Sequence, residues 1–194
     1  ASSTNTIKFT SFSNDSLQVN ITGPFIIKNV PYVTLEKLKF SGTIQIGETA
    51  NNFTVKNCNI TGRIEHNAGS NLNVLNNYLQ GGVQATGFTG TLINGVLLKN
   101  NRIVGGSSDG NGSPFLLQCF NVSKPVIDGN TFQDFNFNHV AGAYAYKATF
   151  YFVGCSDTLF IKYNKFIRCG TSRLVGDFDT NPTITTKLAH VEMF

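Results

Sequence analysis

Val55-Lys-Asn-Cys-Asn-Ile-Thr-Gly62 returns, altered in detail, as Leu98-Lys-Asn-Asn-Arg-Ile-Val-Gly105. Shorter echoes follow as Ile127-Asp-Gly-Asn-Thr-Phe132 and Ile161-Lys-Tyr-Asn-Lys-Phe166. Aligned on Phe40, Ile60, Leu79, Ile103, Phe132 and Phe166, the chain has an aliphatic residue five positions earlier each time: Leu35, Val55, Val74, Leu98, Ile127 and Ile161. Two positions before the anchor stand Leu38, Cys58, Asn77, Asn101, Asn130 and Asn164. Two positions after it stand Gly42, Gly62, Gly81 and Gly105, then Asp134 and Arg168. Beyond the glycine a further short strand shows in Ile44 and Ile46, Ile64 and His66, Val83 and Ala85.

This is period-two alternation broken by an Asn position and closed by a Gly. The anchors are 20, 19, 24, 29 and 34 residues apart. Fixed local phase with growing spacing argues against a hairpin sandwich. It fits a solenoid, in which each unit is one coil and surplus residues loop out. Equivalent columns then stack about 4.8 Å apart. Inward Asn side chains in such a stack satisfy one another, so Asn77, Asn101, Asn130 and Asn164 are expected to form a ladder, with Cys58 continuing the row. The expected fold is all-β, a single parallel β-solenoid of about seven coils. Residues 1–14 are assigned to an N-terminal capping strand and 15–170 to the solenoid. Residues 171–194 are assigned to a C-terminal cap or inter-subunit segment that leaves the repeat.

Composition agrees. The 194 residues include 19 Gly and 17 Phe, with 13% charged side chains and a net charge of +4. Gly and the abundant Asn suit turns, and Phe suits strands. The Lys and Arg are scattered along the chain, which argues against nucleic acid as a partner. A pI of about 8.9 is compatible with a weak attraction to acidic glycans. No apolar run is long enough for a membrane-spanning helix. The chain begins at Ala1 without Met, so a processed protein or a piece of a longer one is expected. Cys58, Cys119, Cys155 and Cys169 lack metal-ligand spacing, and His66, His139 and His190 are scattered, so no metal or other cofactor is expected. The cysteines read as small buried hydrophobes, with Cys155 and Cys169 the pair that a disulfide would join in a secreted chain.

The four quoted stretches make residues 15 to 170 resemble the right-handed parallel β-helix superfamily, the pectate-lyase-like fold. The resemblance implies a right-handed coil and leaves activity open, because this fold carries lyases, hydrolases, epimerases, phage tailspikes and adhesins. The strings that mark its pectate lyases and polygalacturonases are absent. The catalytic candidates are therefore Asp177 and Asp179, which share one face of an extended segment roughly 6–7 Å apart, and Asp134, the expected stacked neighbour of Arg168. Gly106-Ser107-Ser108-Asp109-Gly110 matches a nucleophile-elbow string but has no readable helix after it.

Loop growth is the functional signal. Surplus residues gather near 106–114, 135–152 and 171–186, and binding sites favour loops on rigid scaffolds. Phe135, Phe137, Phe150 and Phe152 read as packing for a thicker coil. His139, Tyr144, Tyr146, Lys147 and Arg168 read as ligand-binding candidates, since Tyr rings suit sugar stacking. The expected function is glycan recognition by an extracellular or virion-surface module of the tailspike or adhesin kind, forming a homo-oligomer such as a trimer. The alternatives are a polysaccharide hydrolase or lyase, and a structural protein that stacks into trimers or filaments.

Overall fold

The computed structural model describes residues 2–12, 19–87, 92–105, 115–134, 148–169 and 190–193. Its strands come in threes. The first set is β1 (Ile7–Thr10), β2 (Asn20–Ile21) and β3 (Phe25–Lys28). The second is β4 (Val33–Glu36), β5 (Lys39–Phe40) and β6 (Ile44–Gly47), and the third β7 (Phe53–Lys56), β8 (Asn59–Ile60) and β9 (Ile64–Asn67). Then come β10 (Ser70–Leu75), β11 (Tyr78–Leu79) and β12 (Val83–Thr86), followed by β13 (Ile93–Lys99), β14 (Arg102–Val104) and β15 (Phe115–Phe120). The last are β16 (Val122–Asp128), β17 (Thr131–Gln133), β18 (Ala148–Val153), β19 (Thr158–Lys162), β20 (Lys165–Ile167) and β21 (His190–Met193). Among the described residues there is no helix.

The first strand of each set joins an eight-stranded sheet, the second a seven-stranded sheet and the third a six-stranded sheet. Every pairing is parallel, and each strand pairs with its equivalent in the next set. The chain is thus all-β, three parallel sheets of stacked strands, consistent with a parallel β-solenoid. The sequence columns are the rungs: Leu35, Val55, Val74, Leu98, Ile127 and Ile161 stand in register in the first sheet. Phe40, Ile60, Leu79, Ile103, Phe132 and Phe166 do so in the second. Nearly all of these side chains are fully buried and belong to one core. The late sets are filled by aromatics. Phe132 meets Phe150 edge-on at 4.7 Å and stacks on Phe166 at 5.5 Å, so Phe150 packs the core as expected. Phe135 and Phe137 lie outside the described residues.

A sharp corner joins the first and second sheets. Lys37, Asn57, Asn76, Asn100 and Tyr163 have φ between 54° and 56° there, in the left-handed region. Asn tolerates that region better than most residues. The residue after each one is turned inward, and this is the ladder column. Asn77 Nδ2 donates to Asn101 Oδ1 (3.0 Å), Asn101 to Asn130 (2.9 Å) and Asn130 to Asn164 (3.0 Å). Each acceptor oxygen also takes the backbone N–H of the residue one rung below. Each Nδ2 also reaches a backbone carbonyl, such as Val55 O at 2.9 Å from Asn77. Cys58 continues the row with its thiol, 3.3 Å from Lys56 O and 3.7 Å from Leu35 O. Cys155 and Cys169 make similar thiol–carbonyl contacts. All four cysteines are free.

The glycine column has a cause other than turn formation. Gly42, Gly62 and Gly81 are not left-handed. A Cβ on Gly62 would lie 2.2 Å from the Gly42 carbonyl oxygen, and one on Gly81 would lie 2.3 Å from that of Gly62. Only glycine lets successive corners approach so closely.

At the N-terminal end β1 pairs with β4 and covers its edge, while Ile7 and Phe9 stay 40% and 43% exposed. At the other end β21 pairs with β19 in the first sheet, with Thr158 opposite His190 and Ile161 opposite Met193, and so covers the edge of that strand. The rest of the expected cap, residues 171–189 and 194, lies outside the described residues.

Replacing Asn130 by Leu strands buried donors and acceptors on both neighbouring rungs and should cost about 1–3 kcal/mol. Asn73→Leu, on the outward side of β10, should stay within about 0.5 kcal/mol. Urea denaturation of both variants checks this; equal midpoints would remove the ladder from the energetics. Gly62→Ala should likewise cost about 1–3 kcal/mol or more. Gly47→Ala should be nearly silent, because its Cβ would meet only the Lys28 side chain at 3.6 Å.

Candidate functional site

The connection from the second to the third sheet is short in the early sets, running from Phe40 to Ile44, Ile60 to Ile64 and Leu79 to Val83. In later sets the same corner runs from Val104 to Phe115 and from Gln133 to Ala148. After Ile167 the next described strand is β21, which begins at His190. The two long connections therefore join the same pair of sheets in successive sets, and the stretch after Ile167 starts from the same corner. The middle one is shorter than expected, because Ala148–Val153 is a strand of the third sheet. His139, Tyr144, Tyr146 and Lys147 lie on that insertion, and Asp177 and Asp179 on the last one. All six fall outside the described residues.

Asp134 and Arg168 stand at the roots of the middle and last insertions, and the structure brings them together as the repeat implied. Arg168 Nε donates to Asp134 Oδ1 at 2.5 Å. Gln133 Nε2 donates to Asp134 Oδ2 at 2.6 Å, and Arg102 Nε donates to Gln133 Oε1 at 3.3 Å. The Arg102 guanidinium lies over the Tyr78 ring, 5.6 Å from its centre. A polar chain thus runs from Tyr78 through Arg102, Gln133 and Asp134 to Arg168. Both Asp134 and Arg168 are left-handed, but so are many corner residues here, and the angle alone marks no site.

The hydrogen bond from Arg168, followed by that from Gln133, holds the Asp134 carboxyl below its ordinary value. The same pairing raises Arg168. A general acid needs its pKa raised towards neutrality, and Asp134 moves the other way. The arrangement offers a fixed carboxylate and cationic donors, which suit the binding of hydroxyls or anions.

Other titratable groups lie in the core. Burial pushes the Cys58 thiol up to about 11 and Cys155 up to about 12, and raises Cys119 well above its ordinary value, so none is a ready nucleophile. Among the described residues no group of three or more His, Cys, Asp or Glu is placed to hold a metal ion. No described helix is long and apolar enough to cross a membrane.

His66 was read only as a strand residue. It sits in the inner row of the third sheet between Ile46 and Ala85, fully buried. Neither ring nitrogen has a hydrogen-bond partner. Desolvation lowers its pKa to about 4, from an ordinary 6.5. Below pH 6.5 the unfolded chain gains a proton that the native state refuses. The His66 contribution is therefore constant above that pH and becomes destabilising as pH falls towards 4. The slope is at most about 1.4 kcal/mol per pH unit. His66→Leu should flatten stability between pH 6.5 and 4 relative to the parent, as read by urea unfolding at several pH values. Parallel pH profiles would show that His66 takes up its proton alike in the native and unfolded states, and would overturn the lowered value.

Compared with known proteins, the chain matches no family model, no curated protein and no solved structure.

Proposed function

We propose that the chain is one right-handed parallel β-helix of about seven coils that recognises a glycan, as an extracellular or virion-surface module of the tailspike or adhesin kind. One observation carries the reading: in successive sets the long connections start from one flank of a repetitive scaffold. In repeat proteins such a flank is often the binding face. The polar chain ending in Asp134 and Arg168 lies at its base. His139, Tyr144, Tyr146 and Lys147 belong to the insertion that starts there, and Tyr is suited to sugar faces.

A second reading, self-association into a homo-oligomer, is favoured by the N-terminal end, where Ile7, Phe9 and Phe12 are exposed. Unpaired strand edges invite pairing with another chain. It is compatible with the first reading.

A glycan panel tests the first. The parent protein should retain a subset of oligosaccharides, and Tyr144→Ala/Tyr146→Ala should lose that binding with unchanged melting. A blank panel, or retention unaffected by the double change, would overturn it. Release of oligosaccharide fragments, abolished by Asp177→Asn or Asp179→Asn, would move the protein into the hydrolase or lyase class.

A further inference from the structure

The scattered Lys and Arg of the sequence are not evenly neutralised once the sheets form. On the first sheet Lys8 and Lys56 share Glu36, and Lys99 and Lys162 share Asp128. On the third, Lys28 faces Glu48, and Arg63 faces Glu65. The second sheet differs. Its outward row is Lys39, Asn59, Tyr78, Arg102, Thr131 and Lys165 in strict register. Among the described residues none of its three cations has a carboxylate within ion-pair distance. Lys124, at the bent start of β16, is the other strand cation in this position. Arg102 and Lys165 are exposed. Asp134, whose carboxylate also feels the Arg102 charge, is already held by Arg168 and Gln133.

We propose that the outward face of the second sheet is a binding strip for an acidic glycan, one carrying sulfate or carboxylate groups along an extended chain. The proposal rests on the glycan reading and names both the ligand class and a second contact surface beside the insertion corner. Charge complementarity selects the ligand. Rungs are about 4.8 Å apart, so Arg102 and Lys165 stand roughly 10 Å apart across Thr131, and Lys39 lies further down the same line. Tyr78 and Thr131 place hydroxyl groups between the charges, where the neutral parts of a sugar chain would lie. Gln133 and the Tyr78 ring hold the Arg102 guanidinium in place, and a planar guanidinium takes carboxylate or sulfate with two parallel hydrogen bonds. Arg168 extends the strip to the corner and is 69% exposed.

Dextran sulfate and unsulfated dextran of equal length provide the test, because they differ only in charge. The parent should bind dextran sulfate at least tenfold more tightly than dextran, and added salt should weaken that binding. Arg102→Glu/Lys165→Glu should weaken it at least tenfold without shifting the melting temperature. Lys28→Glu/Lys124→Glu makes the same change in net charge elsewhere and should change affinity less than threefold. Asp134→Asn removes the acid described beside the strip and should tighten binding. Equal losses in the two reversal variants would mean that only overall charge attracts the polymer, and would overturn the strip. Glycan-panel binding confined to neutral sugars would overturn the strip and leave the glycan reading standing. Binding of neither dextran together with a blank panel would overturn both. Tighter binding to single-stranded RNA than to dextran sulfate would identify a different ligand class and also overturn the strip.

Discussion

Burying an amide without a partner is costly, and this chain buries three in a row. Asn77, Asn101 and Asn130 are nearly inaccessible. Each is satisfied only if the next rung is present and in register, because its donor reaches the oxygen above and a carbonyl of the strand below. Sheet hydrogen bonds alone would allow a strand to slip by two residues and keep its inward pattern. The amide column does not allow that slip. It is a specificity device as well as a stabilising one, and the three sheets inherit their alignment from it.

The corner also explains why Asn so often comes doubled, as in Asn76-Asn77 and Asn100-Asn101. The first Asn adopts the left-handed bend, and the second turns inward and joins the column. Where the bend is made by Gly129, the Asn100 side-chain oxygen fills the room that a Cβ would need. The two positions look alike in composition but answer to different constraints, one conformational and one of hydrogen bonding.

Much of this was legible in the sequence. Period and phase identified the strands, the inward rows and the amide column. They also placed Asp134 beside Arg168, since contacts between rungs follow directly from the repeat. The role of the glycine column was not legible, because a turn glycine and a close-contact glycine are the same letter. Cys58, Cys155 and Cys169 read as plain hydrophobes, although their thiols face carbonyls at corners. His66 passed as an ordinary strand residue, because nothing local shows that its rung lacks a polar neighbour. Nor could scattered Lys and Arg reveal which face goes unneutralised, since pairing depends on neighbours a full rung away. The insertions carry no repeat, so the binding candidates there have no phase to place them.

The contacts between Gly42, Gly62 and Gly81 have a consequence for how such a molecule can change. Along that line the backbone touches the backbone, and no residue can be added without prising two rungs apart. Further along the axis the same column holds Asp134 and Arg168, and the connections that follow Val104 and Gln133 are longer. The early corners are thus closed to insertion and the later ones open to it. Sequence can be added at the later corners while the early rungs, and the spacing they impose, stay as they are.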